Sequence, residues 1–261
     1  KIRYTAAQET EAEALTLTLN AASGNNCDNL LDDAYTSTVS FSGKDELTVT
    51  GSKPMQGIYI KWAELGADWR VSYNGKTVEY KGEEFLHHYI DFGETAWSCT
   101  IYFDSDASVC DLFAYGEGIL PSNVQIWEKP CEMADILVFS THADDEILFL
   151  GGVLATYAGQ QGLNVQVAYM TYYWNGAKVR EHEKLDGLWE SGVRNYPVNG
   201  GFDDIYAESL EGAMSVYSYD DVLAFVTEQI RRFKPLVCVT QDLNGEYGHG
   251  FFLQRSARYA Y

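Results

Sequence analysis

The stretch Asp135-Ile-Leu-Val-Phe-Ser-Thr-His-Ala-Asp-Asp-Glu-Ile-Leu-Phe-Leu-Gly-Gly152 changes character twice. Ile136 to Phe139 is a short apolar run. Ser140, Thr141 and His142 break it, and three acids follow, Asp144, Asp145 and Glu146. Apolar residues then return at helical spacing, at Ile147, Leu148, Leu150, Val153 and Leu154. The pattern predicts a buried strand, a tight turn and the first turns of a helix. An open α/β sheet places its ligands at the carboxyl ends of its strands, which is where this cluster falls. A histidine and two adjacent carboxylates on one turn can offer nitrogen and oxygen ligands to a divalent metal and leave one acid over as a base. The same acids also suit a helix N-terminus, where free amides and the helix dipole favour carboxylates.

Outward from this stretch, Leu163 to Thr171 reads as a second strand. Lys178 to Gly192 reads as a helix, with Leu185, Leu188 and Trp189 apolar and Gly192 at its end. Asp220 to Phe233 is an amphipathic helix with Val222, Leu223, Phe225, Val226 and Ile230 on one face, stopped by Pro235. Leu236 to Thr240 is a third buried strand. This alternation predicts a parallel sheet with right-handed crossovers. No G-x-G-x-x-G or P-loop follows a strand, so nucleotide binding is disfavoured. After the third strand comes Gln241-Asp-Leu-Asn-Gly-Glu-Tyr-Gly-His-Gly250, with glycines and a histidine at a strand's carboxyl end.

Together, His142-Ala-Asp-Asp-Glu146 and Asn244-Gly-Glu-Tyr-Gly-His-Gly250 resemble the two motifs of the PIG-L/LmbE-like N-acetylglucosaminide deacetylases, A-H-P-D-D-E and G-x-Y-G-H-x-x-H. The resemblance spans Asp135 to about Arg258, and Arg180-Glu-His-Glu183 fits the family's R-x-x-E. It implies a Rossmann-like α/β domain and a metal-dependent hydrolase, with Zn2+ or another divalent ion. His142 and Asp145 would be metal ligands and Asp144 the general base. His249 would stabilise the oxyanion or protonate the leaving amine, Tyr247 would lie against that oxyanion, and Arg180 would bind substrate or form a helix-end ion pair. Glu146 fits a first-turn helix position at least as well as chemistry, and His182 is expected to face solvent. The sequence departs from the family twice. Ala143 replaces a proline that shapes the turn, and Phe252 stands where the family carries its third metal ligand, a histidine. The family's domain continues beyond the stretch matched here, so the α/β sheet is expected to be C-terminally incomplete, by a fragment boundary or a truncation.

Residues Ala14 to Trp127 have a different texture. Leu15 to Leu19 alternates strictly. Strand-like runs follow at Leu47–Thr50, Gly57–Trp62, Trp69–Tyr73, Thr77–Tyr80, Phe85–Phe92, Thr100–Phe103 and Val124–Trp127. Asn74-Gly75 is a hairpin signal. Many short strands predict an all-β sandwich. Asn29-Leu-Leu-Asp-Asp33 with Thr36, and Tyr115-Gly116 with Pro121, Val124 and Trp127, resemble the ends of a discoidin-type, galactose-binding-like jelly roll. That resemblance implies glycan binding through loops at one end. Trp62, Trp69, Trp97 and Tyr35 are either its aromatic platforms or core residues. His87-His88 reads as a strand pair, one side chain in and one out. The domain boundaries expected are 1–132 and 133–261.

The chain has 261 residues, 46% hydrophobic, with a formal net charge of -20. Such a charge disfavours nucleic acid and anionic membranes as partners, and no apolar run reaches spanning length. The five cysteines lack C-x-x-C spacing. Cys99 can pair with Cys110 and Cys27 with Cys131, leaving Cys238 as a buried thiol, or all five are free. Pairing would suit an extracellular or cell-surface location, and free thiols a cytoplasmic one. Two functions remain open at this point. One is a zinc-dependent deacetylase of an N-acetylated amino sugar on a glycan or glycoside, with a glycan-targeting sandwich. The other is a glycan-binding protein whose deacetylase-like domain is metal-poor and inactive.

Overall fold

A computed structural model describes residues 10–82, 85–172, 178–204 and 209–241. The chain divides into two compact units, Lys1–Ile126 and Trp127–Tyr261. The first is a large, sandwich-like antiparallel sheet of β1 (Leu17–Ala21), β2 (Val39–Phe41), β3 (Glu46–Trp62), β4 (Trp69–Tyr73), β5 (Lys76–Tyr80), β6 (His87–Phe103) and β7 (Ala107–Tyr115). Its order is β2-β7-β3-β6-β4-β5, with β1 paired to β3. The runs expected as separate short strands at Leu47 and Gly57 are one strand, as are those at Phe85 and Thr100. The β3–β6 register shifts between Thr50 and Gly57, so each long strand serves two patches. The first half of β3 pairs with β1, and its second half with β7. Such breaks let a strand bend from one layer to another. Asn74 and Gly75 close the β4–β5 hairpin with φ of +47° and +75°, as the turn type requires. Val124–Trp127 is not a strand.

Several expectations fail in this unit. No disulfide joins any two of the five cysteines, the second of the two alternatives above. Cys99 and Cys110 lie on β6 and β7, which flank β3 on opposite sides, at least two strand spacings (about 9–10 Å) apart and beyond disulfide reach. Cys27 and Cys131 belong to different units. Trp62 and Trp69 are each 4% exposed and pack at 5.0 Å, so both are core residues. Tyr35 is half-buried, with the Lys61 ammonium 4.6 Å over its ring. Of the four proposed platforms only Trp97, 62% exposed, faces outward. His87 and His88 do alternate in direction, but both are buried. His87 meets Gln125 Oε1 at 2.7 Å through Nδ1, while His88 sits edge-on to Trp69 and Tyr80. Both faces of this strand end are covered, so alternation does not bring one ring to solvent.

Asp111 on β7 is fully buried, and neither carboxylate oxygen has a partner within hydrogen-bond geometry. Burial pushes its pKa up to about 6, against the pull of Lys61 and with added repulsion from Asp33. The folded carboxyl thus holds its proton more tightly than the unfolded one, whose pKa is about 3.9. The stability it contributes is complete below about pH 4 and lost as pH rises through about 6. Asp111→Asn is therefore expected to gain about 2 kcal/mol on wild type between pH 4.5 and 7.5. Urea denaturation of both proteins at the two pH values measures this, and an unchanged difference would mean that Asp111 does not titrate there.

The second unit is a parallel sheet, β10 (Val198–Phe202), β9 (Val165–Thr171), β8 (Ile136–Ser140) and β11 (Val237–Val239), in that spatial order. Its helices are α1 (Asp145–Leu148), α2 (Gly151–Leu154), α3 (Val179–Glu190), α4 (Leu210–Val216) and α5 (Tyr219–Phe233). Leu137, Phe139, Ala168 and Met170 line one sheet face and pack with Ala213, Tyr217, Val222, Val226 and Phe233 of α4 and α5 and their ends. The Ser218 side chain caps α5 by accepting from the Asp221 N–H, and Lys234, at φ +44°, closes it. The helix expected to run on from Ile147 is broken: Phe149 and Leu150 separate α1 from α2, which opens on Gly151-Gly152, and Ala155–Gln160 winds as a π-helical turn. Gly192 ends the α3 region at φ +90°, where a Cβ would lie 2.3 Å from Gly159 Cα. Trp127 packs edge-on against Trp189 and Tyr196, and Glu128 bridges Asn195. No helix among the described residues is long and apolar enough to cross a membrane.

Candidate functional site

Strand order creates the site. The chain leaves β8 toward β9 and β10 on one side, then returns to lay β11 on the other. The order thus reverses between β8 and β11, and at such a point the loops leaving the carboxyl ends part and open a crevice. The loop from β8 carries Thr141 to Asp144, and Gln241 lies just beyond β11. The Thr141 hydroxyl donates to Gln241 Oε1 at 2.7 Å, and the Thr141 carbonyl accepts from Thr171 Oγ1 at 2.9 Å. Residues at the ends of three strands thereby hold the loop.

The structure brings His142, Asp144, Asp145 and Arg180 together. His142 Nδ1 is 3.0 Å from Asp145 Oδ2, which also accepts the His142 backbone N–H at 3.0 Å. Burial pushes the Asp145 carboxyl up, but the His142 side-chain and backbone bonds outweigh it, and its pKa lies below the ordinary value. The second imidazole nitrogen, Nε2, is 3.3 Å from Asp204 Oδ1. Asp144 turns outward, with its side chain 47% exposed, and Arg180 Nη2 donates to its Oδ2 at 2.6 Å and to the Ala143 carbonyl at 2.7 Å. The Asp144 and Glu183 carboxylates raise the Arg180 pKa further, with burial opposing. Arg180 thus sits on the proposed base, with Glu183 at 3.0 Å on its other side.

Glu146 is 1% exposed, and its Oε2 accepts the Asp144 N–H at 3.0 Å. Burial is the main cause that lifts its pKa to about 7. It braces the turn from behind. His182, expected at the surface, is fully buried. The reason is that the inward face of α3 is largely polar: Glu181, His182, Lys184, Leu185 and Leu188 are all covered. Lys184 bonds Glu181 and Asn199, and its ammonium lies 4.6 Å from the centre of the Tyr169 ring. The sequence reading missed Asp204, and it missed the Lys184 cluster because an i,i+3 Glu–Lys pair looks like an ordinary exposed one. Tyr247, His249 and Phe252 lie outside the described residues.

Metal bonds of about 2.0–2.2 Å place neighbouring ligands roughly 3 Å apart. The spacing of His142 Nδ1 and Asp145 Oδ2 fits that requirement, and both donor types suit a borderline divalent ion. Among the described residues, no group of three or more His, Cys, Asp or Glu side chains is placed to hold a metal.

No family model matches the chain, and no curated protein does. Solved structures similar to it include a pectin-binding carbohydrate-binding module, at 15% identity over 42% of this chain and 96% of that one, with a TM-score of 0.31. Allantoicase from Saccharomyces cerevisiae is 13% identical over 41% of this chain and 40% of its own, with a TM-score of 0.29. A family two carbohydrate esterase from Cellvibrio japonicus is 11% identical over 93% and 95%, with a TM-score of 0.26. Likenesses this distant carry no functional argument.

Proposed function

We propose that the second unit is a Rossmann-like, metal-dependent amide hydrolase of the PIG-L/LmbE type, which removes the acetyl group from an N-acetylated amino sugar. The first unit would be its glycan-targeting module, a discoidin-like jelly roll. One observation carries the reading. His142 and Asp145 lie at ligand spacing at the carboxyl end of β8, with the outward carboxylate of Asp144 beside them. A bound divalent ion would acidify water and polarise the amide carbonyl. Asp144 accepts the proton of the attacking water, and Arg180 holds its carboxylate in place. His249 and Tyr247 are assigned to the oxyanion and the leaving amine on the strength of the sequence motif.

A second reading has its own support, since only two donors of the expected ligand set are in place among the described residues. It makes the chain a glycan-binding protein with a metal-poor, inactive hydrolase-like unit. Elemental analysis and acetate release from N-acetylglucosamine oligomers separate the two. About one zinc per chain together with zinc-dependent release is expected. A purified chain that neither retains zinc nor frees acetate at saturating zinc would leave the binding reading standing.

A further inference from the structure

We infer that the segment from Asp32 to Thr36 is a pH-sensitive strap over β7: Lys61 holds it down through Asp33 while the Asp111 carboxyl is neutral, and lets it go when that carboxyl ionises. The inference is independent of the hydrolase reading. Lys61 on β3 stands directly opposite Asp111 on β7 and, on its other side, opposite His87 on β6. Directly opposed residues share a sheet face, with Cβ atoms about 4.5–5.5 Å apart. The ammonium nevertheless bonds to the strap: Nζ donates to Asp33 Oδ1 at 3.0 Å and to Tyr35 Oη at 3.3 Å. The Asp33 side chain is 70% exposed, whereas Asp111 is fully buried, with neither carboxylate oxygen hydrogen-bonded among the described residues. That is the arrangement of a protonated Asp111. A neutral carboxyl needs no cation, so the ammonium can take an exposed partner. A buried carboxylate is the stronger claimant, because a charge pair attracts more strongly in a low dielectric than at the surface. Lys61 on β3 favours that ionised form, Asp33 and Asp32 on the strap oppose it, and the nearby Ala34 amide favours it. Beyond Lys61, His87 is engaged with Gln125 through Nδ1. The strap is tied within itself, since Asp32 accepts from the Ser37 hydroxyl at 2.7 Å and from the Ala34 N–H at 3.2 Å. The Cys110 thiol, a weak donor, meets the Tyr35 carbonyl at 3.6 Å and adds little. The strap can therefore lift as one piece once Lys61 turns to Asp111.

The test is native-state amide exchange of the full chain, read by mass spectrometry at two pH values, about 4.5 and about 7.5, and corrected for intrinsic exchange. Wild type, Asp111→Asn and Lys61→Met are compared. A carboxyl that titrates at about 6 under the strap and at about 3.9 in water links opening to pH. The opening constant of the strap in wild type is therefore expected to rise by about 20–30-fold from the lower pH to the higher. In Asp111→Asn it should stay at the wild-type low-pH value throughout. Lys61→Met removes the tie and should open the strap more readily than wild type at the lower pH. Strand β3 should keep a far smaller opening constant at both pH values, which separates lifting of the strap from global unfolding. A pH-independent strap in wild type, or the wild-type dependence retained in Asp111→Asn, would overturn the inference. So would wild-type protection of the strap in Lys61→Met at the lower pH, or a strap that opens only together with β3.

Discussion

Asparagine at position 144 is expected to lower the turnover of acetate release by about 10²–10⁴-fold, the usual contribution of a positioned general base, with little change in zinc content or stability. The substitution is nearly isosteric, and its amide oxygen still accepts from Arg180, which bonds Asp144 Oδ2 at 2.6 Å in the wild type. What it removes is the basic oxygen. The Asp144 side chain is 47% exposed, so losing its ion pair costs about 0–1 kcal/mol. The effect should fall on kcat, because a base acts in the transition state and contributes little to binding. Glu146 offers a rival assignment, since its pKa of about 7 would suit a base at neutral pH. It is 1% exposed, however, and its Oε2 is taken by the Asp144 N–H, so it has no approach to a substrate. Near-normal turnover in Asp144→Asn would remove Asp144 from the mechanism and leave the proton acceptor to be sought elsewhere.

The parts of this molecule that could be read beforehand are those whose signal is local. The β8 turn, the strands at Val165 and Val237 and the helix ending at Phe233 each follow from an apolar run or a 3.6-residue period bounded by a cap or a proline. The Asn74-Gly75 hairpin follows from the two positive φ values its turn needs. What escaped depends on distance. The edge strand β10 is Val-Asn-Gly-Gly-Phe, with too little apolar or β-branched character to announce itself, and its pairing with β9 alone makes it a strand. Asp204 lies 62 residues beyond His142, and the parallel pairing of β8, β9 and β10 brings the end of β10 to the same edge of the sheet as the imidazole. The short-strand reading of the first unit missed that β3 and β6 run unbroken for 17 residues across a register shift. Trp62 and Trp69 suited a core better than a binding platform, and their burial places them in the core.

Lys184→Met is expected to destabilise the second unit by about 3–5 kcal/mol, the cost of removing one member of a buried ion pair. Lys184 is 3% exposed and Glu181 6%, and the two are in direct contact. Burial pushes the lysine pKa down, with Glu181 and then Glu146 opposing, so the ammonium depends on its acidic neighbours. Asn199 Oδ1 at 2.9 Å takes a further N–H, and the Tyr169 and Tyr172 rings lie 4.6 and 5.3 Å from Nζ. Methionine fills similar space but leaves Glu181 as a buried carboxylate without its cation. It also removes the positive charge that helps ionise Glu146, the residue bracing the Asp144 turn. The double variant Lys184→Met/Glu181→Leu removes both charges. It is expected to recover most of the loss, since apolar groups often replace a buried pair at little net cost. Urea midpoints of wild type, both single variants and the double close the cycle, and the coupling should be at least about 1 kcal/mol for residues in contact. A Lys184→Met midpoint equal to wild type would show that the ammonium is solvated in solution. Equal losses in single and double variants would instead trace the effect to packing, and acetate release by the double variant then decides whether the charge reaches the Asp144 turn through Glu146.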